Sequence, residues 1–253
     1  MQWTVRKRFA SGLTADFNYS LAKSIDLASR AERVGAFGGF LVNTWNTSQL
    51  RAVSDYDVRH AVNGFLIYEL PLGRNKRFLS NAGGFVNALL GGWQLSGTYQ
   101  QSSGLPASVG NGRNWPTNWN ITGFATPSGP QPATATSKNA PAVAGKSGPN
   151  LVANPTSALA AYDFTLPGQT GQRNVLRGDG GLAVNTGLGK KFVMPYSEKH
   201  SLQLRWETFN ITNTVRFDVN SLTLDLGNTG SFGKYSSTLN SPRQMQFLLR
   251  YDF

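Results

Sequence analysis

The sequence predicts an all-β fold, an antiparallel meander of about seven strands, each long enough to cross a bilayer. Three observations predict it. Apolar and polar residues alternate with period two in seven separate stretches. The longest uncharged run, 78–112, is broken by Gly, Asn, Gln and Ser and never reaches the ~18 consecutive apolar residues of a membrane-crossing helix. Short and long connections alternate along the chain, as they do when a strand meander threads back and forth through a membrane.

The first two strands are the clearest. In Met1–Phe9, Trp3, Val5 and Phe9 stand against Gln2, Thr4, Arg6 and Arg8. In Leu13–Lys23, Leu13, Ala15, Phe17, Tyr19 and Leu21 alternate with Thr14, Asp16, Asn18 and Ser20. Ser11-Gly12 supplies the tight turn of a hairpin between them. A third strand, Val58–Leu70, puts Val58, Val62, Leu66, Tyr68 and Leu70 on one face, and a fourth, Trp93–Tyr99, does so with Trp93, Leu95 and Tyr99. The fifth carries Leu182, Val184, Leu188, Phe192 and Met194. After a turn at about 196–199 the sixth carries Leu202, Leu204 and Trp206, and a phase shift to Phe209 and Ile211 reads as a bulge. The last strand, Arg243–Phe253, alternates Met245, Phe247, Leu249, Tyr251 and Phe253 with Gln244, Gln246, Arg250 and Asp252.

The links between strands divide into two kinds. Ser11-Gly12 and 196–199 are tight, and 73–91 is of medium length with a helical turn expected at 85–90. The other three run over about 24–57, 104–178 and 213–242. Nine of the twelve prolines fall between Pro106 and Pro167, which excludes a central strand there. The Pro-, Ala-, Ser- and Thr-rich stretch 127–161 reads as a flexible insertion. Long loops on one side, short turns on the other and a greasy strand face are the pattern of an outer-membrane β-barrel.

Composition bounds the function. The 253 residues hold 24 Lys and Arg against 13 acids, a net charge of +11, yet only 15% are charged, below the ~25% of soluble domains. No Cys is present and only two His, His60 and His200, so disulfides, thiolate metal sites and cysteine nucleophiles are excluded. Residues 1–9 carry charge where the apolar core of a secretion signal would stand, and no signal peptide is expected there. No GxSxG, HExxH or paired-carboxylate arrangement occurs, so the chain is not expected to be an enzyme or to hold a metal or cofactor. The basic residues are dispersed and match no nucleic-acid motif. Outer-membrane lipid and lipopolysaccharide are the partners that suit them.

Several stretches together resemble the C-terminal end of a TonB-dependent outer-membrane receptor barrel, of the subclass with an N-terminal carboxypeptidase-regulatory-like domain. They are Phe9–Asp26 (FASGLTADFNYSLAKSID), Asp57–Leu72 (DVRHAVNGFLIYELPL), Leu89–Ser96 (LLGGWQLS), Arg173–Gly178 (RNVLRG), Leu202–Asn213 (LQLRWETFNITN), Gly230–Gly233 (GSFG) and Ser241–Phe253 (SPRQMQFLLRYDF). The resemblance covers residues 1–253 apart from the loop insertions. It implies a receptor that takes a scarce nutrient, such as a metal chelate, glycan or peptide, across the outer membrane. The family's plug domain and energy-coupling box have no counterpart here. The chain is therefore expected to be a fragment, a degenerate gene product or part of an assembly, and to reach the TonB complex only through the missing part.

Candidate sites follow. Met245, Phe247, Leu249, Tyr251 and Phe253 resemble the terminal signal read by the barrel-insertion machinery, to which an alternating edge strand can add by pairing. Trp3, Tyr19, Trp93, Phe192, Trp206 and Tyr251 are candidates for interfacial aromatic girdles. Lys7 and Lys190 interrupt the apolar faces near the expected periplasmic ends, where a Lys can snorkel. The inward face carries Arg6, Arg8, Asp16, Lys191, Arg205, Glu207 and Arg250, for which pairing such as Arg205 or Arg250 with Glu207 is favoured over anion steering. In the long loop, Arg113, Trp115, Trp119 and Tyr162 are candidate ligand contacts. Two other classes of function remain open: a secreted or surface β-sandwich that binds or adheres, and a self-associating barrel acting as a passive pore.

Overall fold

The computed structural model describes residues 1–29, 43–114, 122–143, 146–194 and 196–253. Seven strands form one antiparallel sheet in strict chain order. They are β1 (Gln2–Ala10), β2 (Leu13–Leu21), β3 (His60–Glu69), β4 (Trp93–Ser102), β5 (Gly181–Met194), β6 (Ser197–Phe209) and β7 (Gln244–Asp252). This is the expected all-β meander, with strand ends displaced by a few residues. Each strand has nine or more residues, enough to cross the hydrocarbon when tilted.

The β1–β2 hairpin turns at Ser11 (φ 54°) and Gly12 (φ 78°), the left-handed pair whose twist suits a two-residue hairpin. Glycine is also needed at 12 because the Glu69 carbonyl and Cβ would lie 3.1 and 3.3 Å from an added Cβ. Two local expectations are corrected. The turn between β5 and β6 is shorter than 196–199, because β6 begins at Ser197 and Met194 is already opposite it. No bulge ends β6: its register with β7 runs unbroken from Ser201↔Asp252 to Phe209↔Gln244. The phase shift instead marks the chain leaving the sheet through Asn210 and Asn213, both at positive φ. The Asn210 side chain holds that exit, accepting from the Thr214 amide at 3.0 Å and donating to the Ser241 carbonyl at 3.1 Å.

The register gathers the apolar residues into rows across the sheet. Leu188 lies between Leu95 and Trp206, and Trp206 lies opposite Phe247. Phe17 lies between Val5 and Gly64, and Tyr19 between Trp3 and Val62. Trp3, Val5, Phe17, Trp206, Met245, Phe247 and Leu249 are all exposed. An uncovered apolar face running the width of seven strands is far larger than a water-soluble surface carries, but hydrocarbon is its natural solvent. The opposite face holds Arg6, Asp16, Asn18, Asn63, Gln100, Asn185, Arg205, Glu207 and Gln246, interrupted by exposed Phe65, Ile67 and Leu248.

The buried core lies in the links rather than in the sheet. Val109, Ala125, Leu151, Val152, Ala158, Tyr162, Leu176, Phe217, Leu224, Leu226, Phe232 and Tyr235 pack together, all from 103–180 and 210–243. Short ladders brace them, pairing 106–107 with 176–177, 110–114 with 122–124, 126–127 with 162–163 and 137–143 with 146–150. The prolines thus stay out of the main sheet, as expected. The stretch 127–161 is not simply a flexible insertion: Leu151, Val152, Ala158 and Ala161 are buried in it. Its small side chains allow close packing around Phe232. Here α2 (Pro155–Leu159) follows α1 (Gly84–Leu90), the helical turn expected in the medium link. Asn154 caps α2 by accepting from the Ser157 amide at 3.2 Å, and Pro155 fits the first turn, where its missing N–H costs nothing. All three long links leave the sheet at one end, and the tight turns and α1 occupy the other.

Candidate functional site: a riveted loop cap above a polar sheet face

Two arginines join the long links. The Arg173 side chain is only 3% exposed and its Nη2 donates to Asp26 Oδ1 at 2.5 Å, with Asp55 Oδ1 at 3.8 Å. The same guanidinium reaches the Val53 carbonyl at 3.4 Å and the Leu50 carbonyl at 3.5 Å. Arg177 pairs with Asp57 at 2.6 Å and donates to the Asp57 and Gly104 carbonyls, both at 2.7 Å. Between them Asn174, at positive φ, donates to the Val53 carbonyl at 2.6 Å and to Asp55 at 2.8 Å. Residues 173–177 therefore rivet the 22–59 link to the 103–180 link. A planar fork with several donors suits this task in a way a Lys would not. At Gly104 the two ends of the 103–180 link pass so closely that a Cβ would collide with the Gly178 carbonyl.

Two of the rivet carboxylates, Asp57 and Asp26, are held ionised. Burial pushes Asp57 up, but the Ser24 amide and the Arg177 guanidinium outweigh it and hold the group below its ordinary value. Burial opposes Asp26 in the same way and is outweighed by Arg173 and by the Ser54 and Ser29 hydroxyls. A carboxylate lowered on folding contributes stability that is complete above its unfolded value and is lost as pH falls through its folded value. Asp179, raised by burial, acts with the opposite sign. The cap is therefore expected to stay closed from neutrality to about pH 4 and to open below it. Near-ultraviolet circular dichroism of buried Tyr162 and Tyr235 reads this; loss of signal already above roughly pH 5 would contradict the rivet.

Beneath the cap, the polar face forms a chain of paired groups. Arg6 pairs with Asp16 at 2.6 Å, Asn18 also donates to Asp16, and Asn18 donates to Asn63 at 3.3 Å. These residues line a cleft of about 730 Å³ with Gln100 and, from the last link, Arg216 and Asn240. Farther along the sheet, Arg205 pairs with Glu207 at 2.6 Å, and Gln246 donates to Glu207. The Arg205–Glu207 pairing runs along β6, two residues apart on one face, and not across strands. Arg250 pairs with Asp252 at 2.7 Å instead of Glu207, because strand alternation puts Asp252 on the same face of its own strand.

Of the loop candidates, only Tyr162 has its side chain in the described part. Tyr162 is a core residue rather than a ligand contact: it is 4% exposed, its hydroxyl donates to Gln131 at 2.6 Å, and burial pushes its phenol up to about 12. Arg113 lies in the short strand 110–114, with its side chain outside the described part, and Trp115 and Trp119 lie outside the described residues. Met245, Phe247, Leu249, Tyr251 and Phe253 are all exposed along the edge of the sheet. Trp3 and Tyr19 sit at the loop end of β1 and β2, with the Tyr19 hydroxyl 2.9 Å from His60 Nδ1. Trp93, Phe192 and Tyr251 mark the turn end. Trp206 sits well inside β6, stacked on Phe247 with centroids 6.2 Å apart, and so belongs to the band rather than to a girdle. The rivet escaped sequence reading. Asp26, Asp57, Arg173, Asn174 and Arg177 lie in the stretches that carry the resemblance and Asp55 does not, but nothing local joins Arg173 to a carboxylate 147 positions away.

Over residues 1–246 the chain matches the family described as an outer membrane beta barrel domain. No curated protein and no solved structure matches it. The match agrees with the single antiparallel sheet, its uncovered apolar face and its loop cap. The chain belongs to the outer membrane beta barrel domain family, and its place is the outer membrane.

Proposed function

We propose that the chain is the wall and outer cap of a TonB-dependent receptor that imports a nutrient ligand such as a metal chelate, glycan or peptide. The observation that carries this reading is the riveted cap. Two long links, 22–59 and 103–180, are tied together by Arg173, Asn174 and Arg177, the third shares its apolar core with 103–180, and residues of that last link line a polar cleft. A cap of this kind suits ligand capture from outside, followed by release along a hydrogen-bonding inner face. No covalent chemistry is involved. The quoted stretches, in their order, support the receptor reading, and the alternating β7 suits delivery by the barrel-insertion machinery. TonB would act through a plug and coupling segment.

Strand parity weighs against the self-associating pore. In a seven-stranded antiparallel meander β1 and β7 run in the same direction. Two copies inserted the same way up would meet with parallel seams, whereas bacterial barrels are antiparallel and even-numbered. An odd number of further strands closes the ring without such a seam.

Deletion of the gene tests the proposal. Growth is compared on panels of metal chelates, glycans and peptides as limiting nutrients. The receptor reading expects loss on one class, reproduced when TonB is deleted or the proton gradient is dissipated. Uptake that survives loss of the gradient, or growth unaffected on every class, would refute it.

A further inference from the structure

From the geometry of 70–92, we infer that this link is an in-plane anchor on the inner leaflet, with its basic turn holding anionic phospholipid headgroups. The starting point is Lys190, which the register places on the apolar face beside Trp93 and Leu204. It does not snorkel into water. The residue is 5% exposed, its Nζ donates to the Ala88 carbonyl at 2.5 Å, and it lies over the Phe192 ring at 4.7 Å and the Trp93 ring at 5.6 Å.

Ala88 belongs to the last turn of α1, whose terminal carbonyls lack partners within the helix. Three of the four find one here. Asn87 accepts from the Gly91 amide, Ala88 from Lys190, and Leu89 from Trp93 Nε1 at 3.0 Å. Both side-chain donors stand on the apolar face, so α1 is fastened to the outside of the wall, at the end of the tight turns. Its other side is bare: Phe85 is 82% exposed, and Val86, Leu89 and Leu90 are exposed beside it. With three of its C-terminal carbonyls satisfied and an apolar side outward, the helix is built to lie in a membrane interface.

Charge selects the lipid. The link 70–92 contains Arg74, Lys76 and Arg77 and no carboxylate. Glu69 partly neutralises Lys76 at 3.4 Å, which leaves Arg74 and Arg77 for phosphate groups. Short turns face the periplasm in outer-membrane barrels, so the leaflet is the phospholipid one. A cation near an anionic surface strengthens binding about fivefold, and two give about twenty-five-fold.

The sequence lacks Cys, so Phe85→Cys can carry a single fluorophore in the whole protein, purified in mild detergent and reconstituted into nanodiscs. Brominated phosphatidylglycerol and brominated phosphatidylcholine serve in turn as quenchers at equal mole fraction. Quenching by both is expected, with about a twenty-five-fold preference for phosphatidylglycerol. That preference should fall to near unity in the Arg74→Gln, Lys76→Gln, Arg77→Gln variant. Raised salt should reduce it in the labelled protein with its basic residues intact. Absence of quenching would remove the anchor. Equal quenching by the two lipids, or a preference that survives both neutralisation and salt, would remove the headgroup site.

Discussion

Replacing Arg173 with alanine is expected to open the loop cap while leaving the membrane strands paired. The change takes the cation from Asp26 and Asp55, which the guanidinium holds at 2.5 and 3.8 Å, and removes donors from the Leu50 and Val53 carbonyls. Breaking a buried pair from one side costs ~3–5 kcal/mol. The two carboxylates keep 22% and 18% of their exposure, so water recovers part of this, and about 3 kcal/mol is expected. That is about a hundredfold increase in opening. Amide hydrogen exchange reads it at Ser54 and Asp57, whose amides donate to the Ser24 and Ser54 carbonyls. The β6–β7 ladder should exchange as before. Arg173→Lys restores the charge without the fork and should recover only part of the loss. Unchanged exchange at Ser54 and Asp57 would mean that the links are held by apolar packing alone.

The second large effect separates the two faces of β7. Phe247→Arg sets a charge in the middle of the strand on the apolar face, beside Trp206, and is expected to cost about 2–4 kcal/mol. Gln246→Arg adds the same charge one residue away, opposite Glu207, where a wet pairing surface receives it. Its effect should stay within about 1 kcal/mol. Urea unfolding from lipid vesicles compares the two variants directly. Equal losses would mean that the faces are not divided between lipid and water.

The strands and their order were legible because one-sided contact with an apolar medium imposes period two, and the strands of the wall follow it apart from Phe65, Ile67, Leu248 and Lys190. Ser11-Gly12 was legible for a similarly local reason, since two left-handed residues specify the hairpin. The cap was not. Its core is assembled from scattered residues such as Val109, Leu151, Tyr162 and Phe232, which share no period because they come from short ladders and irregular turns. Composition counted the prolines and small residues of 127–161 but not the burial of Ala158 and Ala161. Tyr162 looked like an exposed aromatic for the same reason. Lys190 broke the apolar pattern in the sequence, and only the position of α1 explains why a cation is retained there. The Asn210 exit imitated a bulge, since both shift the phase of alternation and differ only in whether the ladder continues.

The division of β7 between lipid and water is tested most directly by a nitroxide placed in turn at positions 245–252 of the reconstituted protein. Collision with oxygen, which concentrates in hydrocarbon, is compared with collision with a water-soluble nickel chelate. A barrel wall requires oxygen access to peak at Met245, Phe247, Leu249 and Tyr251, and nickel access at Gln246, Leu248, Arg250 and Asp252. Water access on the even positions with both reagents excluded from the odd ones would instead describe an apolar face packed against protein, and would contradict the membrane wall.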